Sequence, residues 1–198
     1  MTNARRQPIQ QRAQETVEAL LEATAQLLVE DGYARLSTNR IARRAGVSVG
    51  SLYQYFADKD ALVEALTRRV AERSAERIAQ GLLGGVEQPL GELARSLIRG
   101  LVEAKRDEPE LARAMAIEVP RQGRLDVERE VLGRLCGILS VVLRQRSDVR
   151  PVNAEMAAFM LVHGVFAVVR DAAAERPELL LGDELADELA ELTLRYLS

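Results

Sequence analysis

Apolar residues recur every three or four positions through most of this chain, and that spacing predicts α-helices. In a first helix, from about Gln10 to Asp31, the apolar stripe includes Leu20 and Leu28. Gly32 follows the last residue of this pattern, so we expect the helix to end there.

Two short helices separated by glycine are predicted between residues 37 and 56. Ser37 is a favourable N-cap for the first of them. Gly46 supplies the turn, because glycine adopts a positive φ without steric cost. Ser48 caps the second short helix, which is expected to end near Phe56. This is the pattern of a helix-turn-helix, which places its second helix in a DNA groove.

The rest of the chain predicts longer helices separated by glycine and proline. Asp58 caps a fourth helix that reaches about Leu83, and the run GLLGGVEQP then indicates a boundary. Further helices are predicted at about 89–106, 109–119, 125–147, 152–173 and 182–197. The pattern therefore predicts an all-α fold of about nine helices.

Composition narrows the classes of protein that fit. The 198 residues suffice to bury a core without disulfides or metals. Cys136 is the only cysteine and His163 the only histidine, which excludes an internal disulfide and a Cys/His metal cluster. The sequence contains no nucleophile–base motif and no phosphate-binding glycine loop. We expect no enzyme activity, no metal and no cofactor.

Charge and hydropathy bear on partners and location. The net charge is −3, but residues 1–59 hold eight Lys and Arg against six Asp and Glu, whereas residues 60–198 hold nineteen against twenty-four. The N-terminus lacks the apolar segment of a signal peptide. The longest apolar stretch, Met156–Val169, is shorter than the roughly 20 residues that span a bilayer. We expect a cytoplasmic protein without membrane contact.

Four of the seven aromatic residues lie close together at Tyr33, Tyr53, Tyr55 and Phe56. We expect Tyr33 and Phe56 to pack in the core of the three-helix unit. Tyr53 and Tyr55 lie on different faces of a short helix, and an exposed hydroxyl can donate to a DNA phosphate. For Tyr55, packing against the first helix is an equal alternative.

The first turn of the third helix consists of the small residues Val49, Gly50 and Ser51. Such a turn fits deep in a major groove, where Val49 would contact a thymine methyl and Ser51 a base edge. Gly50 costs up to about 1 kcal/mol relative to alanine in a helix. Close approach to DNA explains that cost, although glycine near a helix start is also common.

Lys59 lies in the first turn of the fourth helix, where a cation opposes the helix dipole by roughly 0.3–1 kcal/mol. A DNA phosphate bound there would meet the lysine and the free helix N–H groups together. The alternative is that Asp58 and Asp60 neutralise it.

The run LSTNRIARRAGVSVGSLYQYFADKDAL resembles the DNA-binding domain of the TetR family of bacterial transcriptional regulators. The resemblance implies homodimers of helical subunits. Residues 1–72 would form the DNA-binding domain, with its motif at 37–56, and a long helix would join it to an effector-binding and dimerisation domain at 73–198. Phosphate contacts are implied for Ser37, Thr38, Tyr53, Tyr55 and Lys59. Base contacts are implied for Asn39, Val49, Gly50 and Ser51. Arg40 and Ser48 complete the predicted DNA-binding set.

The apolar stretch from Asn153 to Arg170 and the last helix predict a surface between subunits. A four-helix, two-fold interface is expected. Its predicted residues are Met156, Phe166, Arg170, Leu185, Leu189, Leu192 and Tyr196. A wholly internal core is the alternative. An effector pocket is predicted near Met115, Phe159, Met160 and His163, although such side chains are more often core.

These patterns favour a DNA-binding regulator, expected to be a repressor on a palindromic double-stranded operator and controlled by a small-molecule effector. Two other classes stay open. One is an enzyme built on a helical bundle, and the other is a helical protein-interaction module. The intact set of Ser37, Gly46, Ser48, Gly50 and Tyr53 favours DNA binding over the latter.

Overall fold

Nine α-helices and two short 3₁₀ turns make up the part of the chain that the structure describes. The structure is a computed structural model that describes residues 6–119, 121–150 and 153–198. The helices are α1 (Arg6–Asp31), α2 (Thr38–Ala45), α3 (Val49–Leu52), α4 (Lys59–Gly84), α5 (Leu90–Arg106), α6 (Pro109–Ile117), α7 (Arg121–Gln145), α8 (Ala154–Glu175) and α9 (Glu184–Leu197). The turns are Tyr33–Arg35 and Pro177–Leu180. The predicted all-α fold of about nine helices is confirmed. The predicted start of the eighth helix at residue 152 lies outside the described residues.

The end of α3 differs from the sequence-based prediction. The α-helical part of α3 ends at Leu52, and the chain then turns so that the Phe56 amide still donates to the Leu52 carbonyl at 3.0 Å. α4 ends at Gly84, close to its predicted end near Leu83, and continues through Gly81. A Cβ on Gly81 would lie 2.5 Å from Leu97 of α5, so glycine allows these two helices to pack closely.

α1, α2, α3 and the start of α4 share one hydrophobic core. Its fully buried side chains include Leu20, Ile41 and Leu52. Met115 and Val119, at α6 and just beyond it, are buried in the same core. α6 is therefore packed against the helix-turn-helix unit, although it lies in the second of the two predicted domains. The division at 72/73 falls within the continuous helix α4.

The second half of the chain forms a bundle of α5, α7, α8 and α9 around the rest of α4. Ala75 of α4, Val131 of α7 and Val162 of α8 share one buried cluster, and Ile98 of α5 packs with Ala190 of α9 in another. α8 is long and apolar enough to cross a membrane by length and composition, with mean hydropathy 1.5 in its most apolar window. About a third (33%) of that window is buried here, so α8 also serves as a bundle helix.

Candidate nucleic-acid interface and effector cavity

Side-chain caps and a left-handed glycine fix the helix-turn-helix. The Ser37 hydroxyl accepts from the Arg40 amide at 3.4 Å, and the Ser48 hydroxyl accepts from the Ser51 amide at 3.0 Å. Gly46 has a φ of 70°, which disfavours any side chain at this turn. Ser48 therefore fixes the start of α3, and the turn at Gly46 fixes its direction relative to α2. One side of α3 lies against the core and the other faces solvent.

The surface around α3 includes the tyrosines that follow this helix and the small residues of its first turn. Tyr53 is 54% exposed and Tyr55 39% exposed, so both tyrosines are accessible. Ser48, Gly50 and Asn39 are exposed as well. Val49 and Ser51 are partly buried, and Val49 packs against the edge of the N-terminal core.

The Tyr53 hydroxyl is already positioned by a neighbour. It lies 3.2 Å from the Thr38 hydroxyl, which joins the start of α2 to the end of α3. Two hydroxyl groups at this separation present a pair of hydrogen-bonding groups to an oxyanion. The two predicted phosphate ligands are thus brought together on one surface.

Gly50 is not required by its protein surroundings. A Cβ built on it would meet only the Ser48 Oγ, at 3.9 Å, which is ordinary van der Waals contact. Its φ is not in the left-handed region. Neither packing nor backbone conformation among the described residues explains the absence of a side chain here.

Lys59 is held by Tyr33. Its ammonium donates to the Tyr33 carbonyl at 3.3 Å and lies 4.2 Å from the centre of the Tyr33 ring, a cation–π contact. The Tyr33 hydroxyl donates to Asp60 at 2.5 Å, and this hydrogen bond raises the pKa of Tyr33 to about 12. Asp58 instead caps α4 by accepting from the Ala61 amide at 2.8 Å. Tyr33 therefore sets the position of Lys59, and Asp60 in turn holds the Tyr33 hydroxyl.

The structure places two arginines of α2 against α1. Arg40, predicted in the DNA-binding set, pairs with Asp31 and donates to the Arg35 carbonyl at 2.9 Å. Arg44 makes two hydrogen bonds to Glu30, at 2.8 and 2.6 Å, and holds the pKa of that carboxyl below its usual value. The guanidinium groups of Arg40 and Arg44 therefore hold α2 against the end of α1 and are engaged by carboxylates of the protein itself.

A cavity of about 300 Å³, the central cavity, lies among α4, α5, α6, α7 and α8. Met115 and His163, two of the four predicted pocket residues, line it. The other two, Phe159 and Met160, are 55% and 49% exposed on the outside of α8. Neither of them lines the central cavity, although Phe159 lies one turn before His163 on α8 and contacts its ring, with the ring centres 4.5 Å apart.

Phe166 and Arg170, predicted for the subunit interface, also line the central cavity. Arg170 pairs with Glu128 of α7 at 3.4 Å. Leu189, likewise predicted for the interface, is buried in the subunit core, where α9 packs on α5. Leu189 is thus in the subunit core and not on an intersubunit surface. Phe166 and Arg170 are partly buried, and the Arg170 side chain is 34% exposed.

The remaining predicted interface residues are accessible to different degrees. Met156 and Leu192 are exposed, the latter by 65%. Leu185 and Tyr196 are half-buried, and the Tyr196 ring lies 5.4 Å from the Arg150 guanidinium. Phe159 and Met160 of α8 are exposed as well, and we call the exposed apolar residues Met156, Phe159, Met160 and Leu192 the outer face.

The architecture is all-helical with an N-terminal helix-turn-helix, and it agrees with the two protein families that the chain matches. The family model described as bacterial regulatory proteins, tetR family, matches residues 20–66. The model described as tetracyclin repressor-like, C-terminal domain, matches residues 89–197. The chain belongs to the TetR family of bacterial transcriptional regulators.

Individual relatives cover different parts of the chain. An uncharacterized HTH-type transcriptional regulator of Mycobacterium tuberculosis is 53% identical over 47 residues, which cover 24% of this chain and 24% of that protein. The match therefore spans about a quarter of that relative's length. NalD, the secondary repressor of the MexAB-OprM multidrug efflux pump in Pseudomonas aeruginosa, has a TM-score of 0.70 at 20% identity, covering 94% of this chain and 98% of NalD. The transcriptional regulator FadR from Bacillus subtilis, in complex with stearoyl-CoA, has a TM-score of 0.69 at 19% identity, covering 91% and 99%. At these identities the two structures show a shared fold.

Two further residues stand out only in the structure. Lys105 lines the central cavity, and Glu118, just after α6, accepts a hydrogen bond from the Tyr33 amide at 3.2 Å. Lys105 is one of only two lysines in an arginine-rich chain, a signal that sequence inspection could have followed. Glu118 carries no such signal, because its partner lies 85 residues away.

Proposed function

We propose that this protein is a DNA-binding transcriptional repressor that binds a palindromic operator as a homodimer and is controlled by a small-molecule effector in the central cavity. The observation that carries the proposal is the exposed first turn of α3, where Gly50 lacks a side chain without any need of the fold. Membership of a family of transcriptional regulators supports it.

Two kinds of DNA contact are assigned to this surface. Val49, Gly50 and Ser51 face the base edges of the major groove, with α3 lying close to the floor of the groove. The hydroxyls of Thr38 and Tyr53, 3.2 Å apart, bind one phosphate and fix the register without reading sequence.

The other predicted groups have supporting roles at the DNA. Asn39 contacts a base edge, and Ser37, Tyr55 and Lys59 add phosphate contacts. Ser48 acts by capping α3 through the Ser51 amide. Arg40 acts indirectly, because its pairing with Asp31 holds α2 in place.

The outer face serves as the dimer contact. Met156, Phe159, Met160 and Leu192 leave an apolar area exposed, and such areas on soluble proteins mark interaction sites. A two-fold axis through this face pairs the same patch on both subunits. The two copies of α3 then face two successive turns of the duplex.

Effector control passes through α6. Met115 lines the central cavity and is also buried in the N-terminal core, so a change in the cavity reaches the helix-turn-helix directly. Glu118 adds a hydrogen bond to the backbone just after Gly32. Half-sites lie roughly 34–36 Å apart or at multiples of that, so a small change in subunit geometry breaks simultaneous docking. A coupling free energy of about 1–3 kcal/mol is enough for a switch.

The structure of FadR from Bacillus subtilis contains stearoyl-CoA, which supports ligand binding by this fold. A regulator that meets chromosomal DNA is expected in the cytoplasm.

Selection of bound duplexes from a random pool tests the proposal directly. Purified full-length protein should enrich a palindromic sequence, and a promoter containing that sequence should be silenced when the protein is expressed. An enriched sequence without two-fold symmetry would contradict the dimeric mode, and no enrichment would contradict specific DNA binding.

A further inference from the structure

The central cavity holds more positive than negative charge. Among its described lining residues, Lys105 and Arg170 are cations and Glu128 is the single carboxylate. The Arg170 guanidinium lies 3.4 Å from Glu128 and also donates to Asp171 at 3.0 Å. Arg170 is thus satisfied by protein groups, and Lys105 supplies the excess charge.

Lys105 is half-buried on α5, and no described residue forms a hydrogen bond or a close ion pair with its ammonium. Burial lowers the pKa of Lys105, while the more distant charges of Glu108 and Glu128 act in the opposite direction. A desolvated cation without a direct partner is unfavourable. An anion bound in the cavity would give the Lys105 ammonium the partner that it lacks.

The other polar groups among the described lining residues are two hydroxyls and the ring of His163. The Thr67 and Ser74 hydroxyls donate to carbonyls of their own helix, at 2.8 and 3.3 Å. The His163 ring contacts Phe159 at a tilt of 39°, with the ring centres 4.5 Å apart. Lys105 is therefore the one described cation of the cavity that is left to bind a ligand's charge.

Most of the remaining wall is apolar, with Met115, Val131, Leu132, Phe166 and Val169 among its residues. At about 300 Å³, the cavity is at the lower end of the range of ligand pockets. Its shape and lining fit a compact apolar group joined to one negative charge.

A second cavity of about 100 Å³, the apolar cavity, lies directly beyond. Leu101 and Phe166 line both cavities and form the partition between them. The polar groups at the apolar cavity are satisfied, because Arg146 binds Asp148 at 2.6 Å and Thr193 donates to a backbone carbonyl at 2.8 Å. This space accepts only apolar atoms.

We propose that the effector is a carboxylate attached to a flexible alkyl chain, with the carboxylate bound by Lys105 and the chain running along Phe166. Chains too long for the central cavity displace the Phe166 ring and enter the apolar cavity. This inference rests on the proposed function only in taking the central cavity as the effector site.

Calorimetric titration of the full chain with octanoate and with 1-octanol tests the head group. Octanoate should bind roughly 10- to 100-fold more tightly than 1-octanol, because a hydrogen bond between charged groups contributes about that much to affinity. Lys105→Met should remove that preference and leave octanol binding within about twofold, whereas Lys105→Arg should retain most of it. Arg77→Met, which removes an exposed charge from α4 outside the central cavity, is the matched control. Equal binding of octanol and octanoate by the parent, or equal weakening of both by Lys105→Met, would overturn the assignment.

A series of carboxylates from octanoate to hexadecanoate tests whether Phe166 limits the entry of longer chains into the apolar cavity. Each methylene that becomes buried should strengthen binding about fourfold, until the chain reaches Phe166. Phe166→Ala, and the milder Phe166→Leu, should then favour hexadecanoate over octanoate relative to the parent. Unfolding curves of each variant verify that it is folded. A folded variant that leaves the ratio unchanged would refute the role of Phe166.

The titrations measure ligand binding in the absence of DNA. The proposed ligand class and the proposed regulatory function can therefore be refuted independently. Absence of carboxylate binding in a protein that still selects its operator would overturn the ligand class alone. Loss of DNA selection would overturn the regulatory function, whatever the titrations show.

Discussion

Gly50→Ala should stabilise the protein and weaken DNA binding, because the added methyl group meets open space in the free protein and DNA in the complex. In the free protein its nearest neighbour is the Ser48 Oγ at 3.9 Å, so no atom has to move. Replacing glycine by alanine at a compatible position stabilises by about 0.4–1 kcal/mol. For a chain of this size, that free energy raises Tm by roughly 1–4 °C.

In the complex, the same methyl group would project from the first turn of α3 into the groove. An overpacked contact costs about 1–3 kcal/mol, which is roughly a 5- to 150-fold increase in Kd. Gly133→Ala on α7 is the matched control, since Gly133 is also helical and a Cβ added to it would have no neighbouring atom within 4 Å. It should give the same stabilisation and leave DNA binding unchanged.

Differential scanning calorimetry and a gel-shift titration with the selected operator measure the two effects. The decisive quantity is the ratio of Kd between Gly50→Ala and Gly133→Ala. If the two variants bind the operator equally while both are stabilised, the first turn of α3 does not lie against the bases.

Three other changes examine neighbouring contacts. Tyr53→Phe should weaken binding to every operator variant by roughly 10-fold or more, since a hydrogen bond to a charged group contributes about 1.5–3 kcal/mol; a loss confined to particular base changes would contradict a phosphate contact. Asp60→Asn should lower the pKa of Tyr33 from about 12 toward its ordinary value, followed by phenolate absorbance. Because the folded parent keeps this proton longer than the unfolded chain, its stability should fall as pH rises from about 10 to 12, and the variant should lose less; identical alkaline unfolding would refute that linkage. Glu118→Ala should speed hydrogen exchange at the Tyr33 amide, its donor at 3.2 Å, and unchanged exchange would show that this contact does not persist in solution.

The helices and the helix-turn-helix were predictable because their signals are local. Caps such as Ser37, Ser48 and Asp58 act on amides within three residues, and the structure contains all three bonds. The glycine turn at Gly46 also depends only on its own backbone. What the local signals do not show is the packing of Gly81 against Leu97 of α5.

The two sides of α8 were not predictable in the same way. The helix is apolar on nearly every side, so its periodicity does not tell which face points inward. Phe166 and Arg170 line the cavity, whereas Phe159 and Met160, earlier along the same helix, are exposed. Long-range pairs are equally hidden, because no local pattern connects Glu118 with Tyr33.

Hydroxyl-radical footprinting on the selected operator tests most directly whether two copies of α3 enter the duplex together. The account predicts two protected patches on one face of the DNA, with centres one helical turn, or a whole number of turns, apart. A single protected patch, or two patches on opposite faces of the duplex, would contradict it.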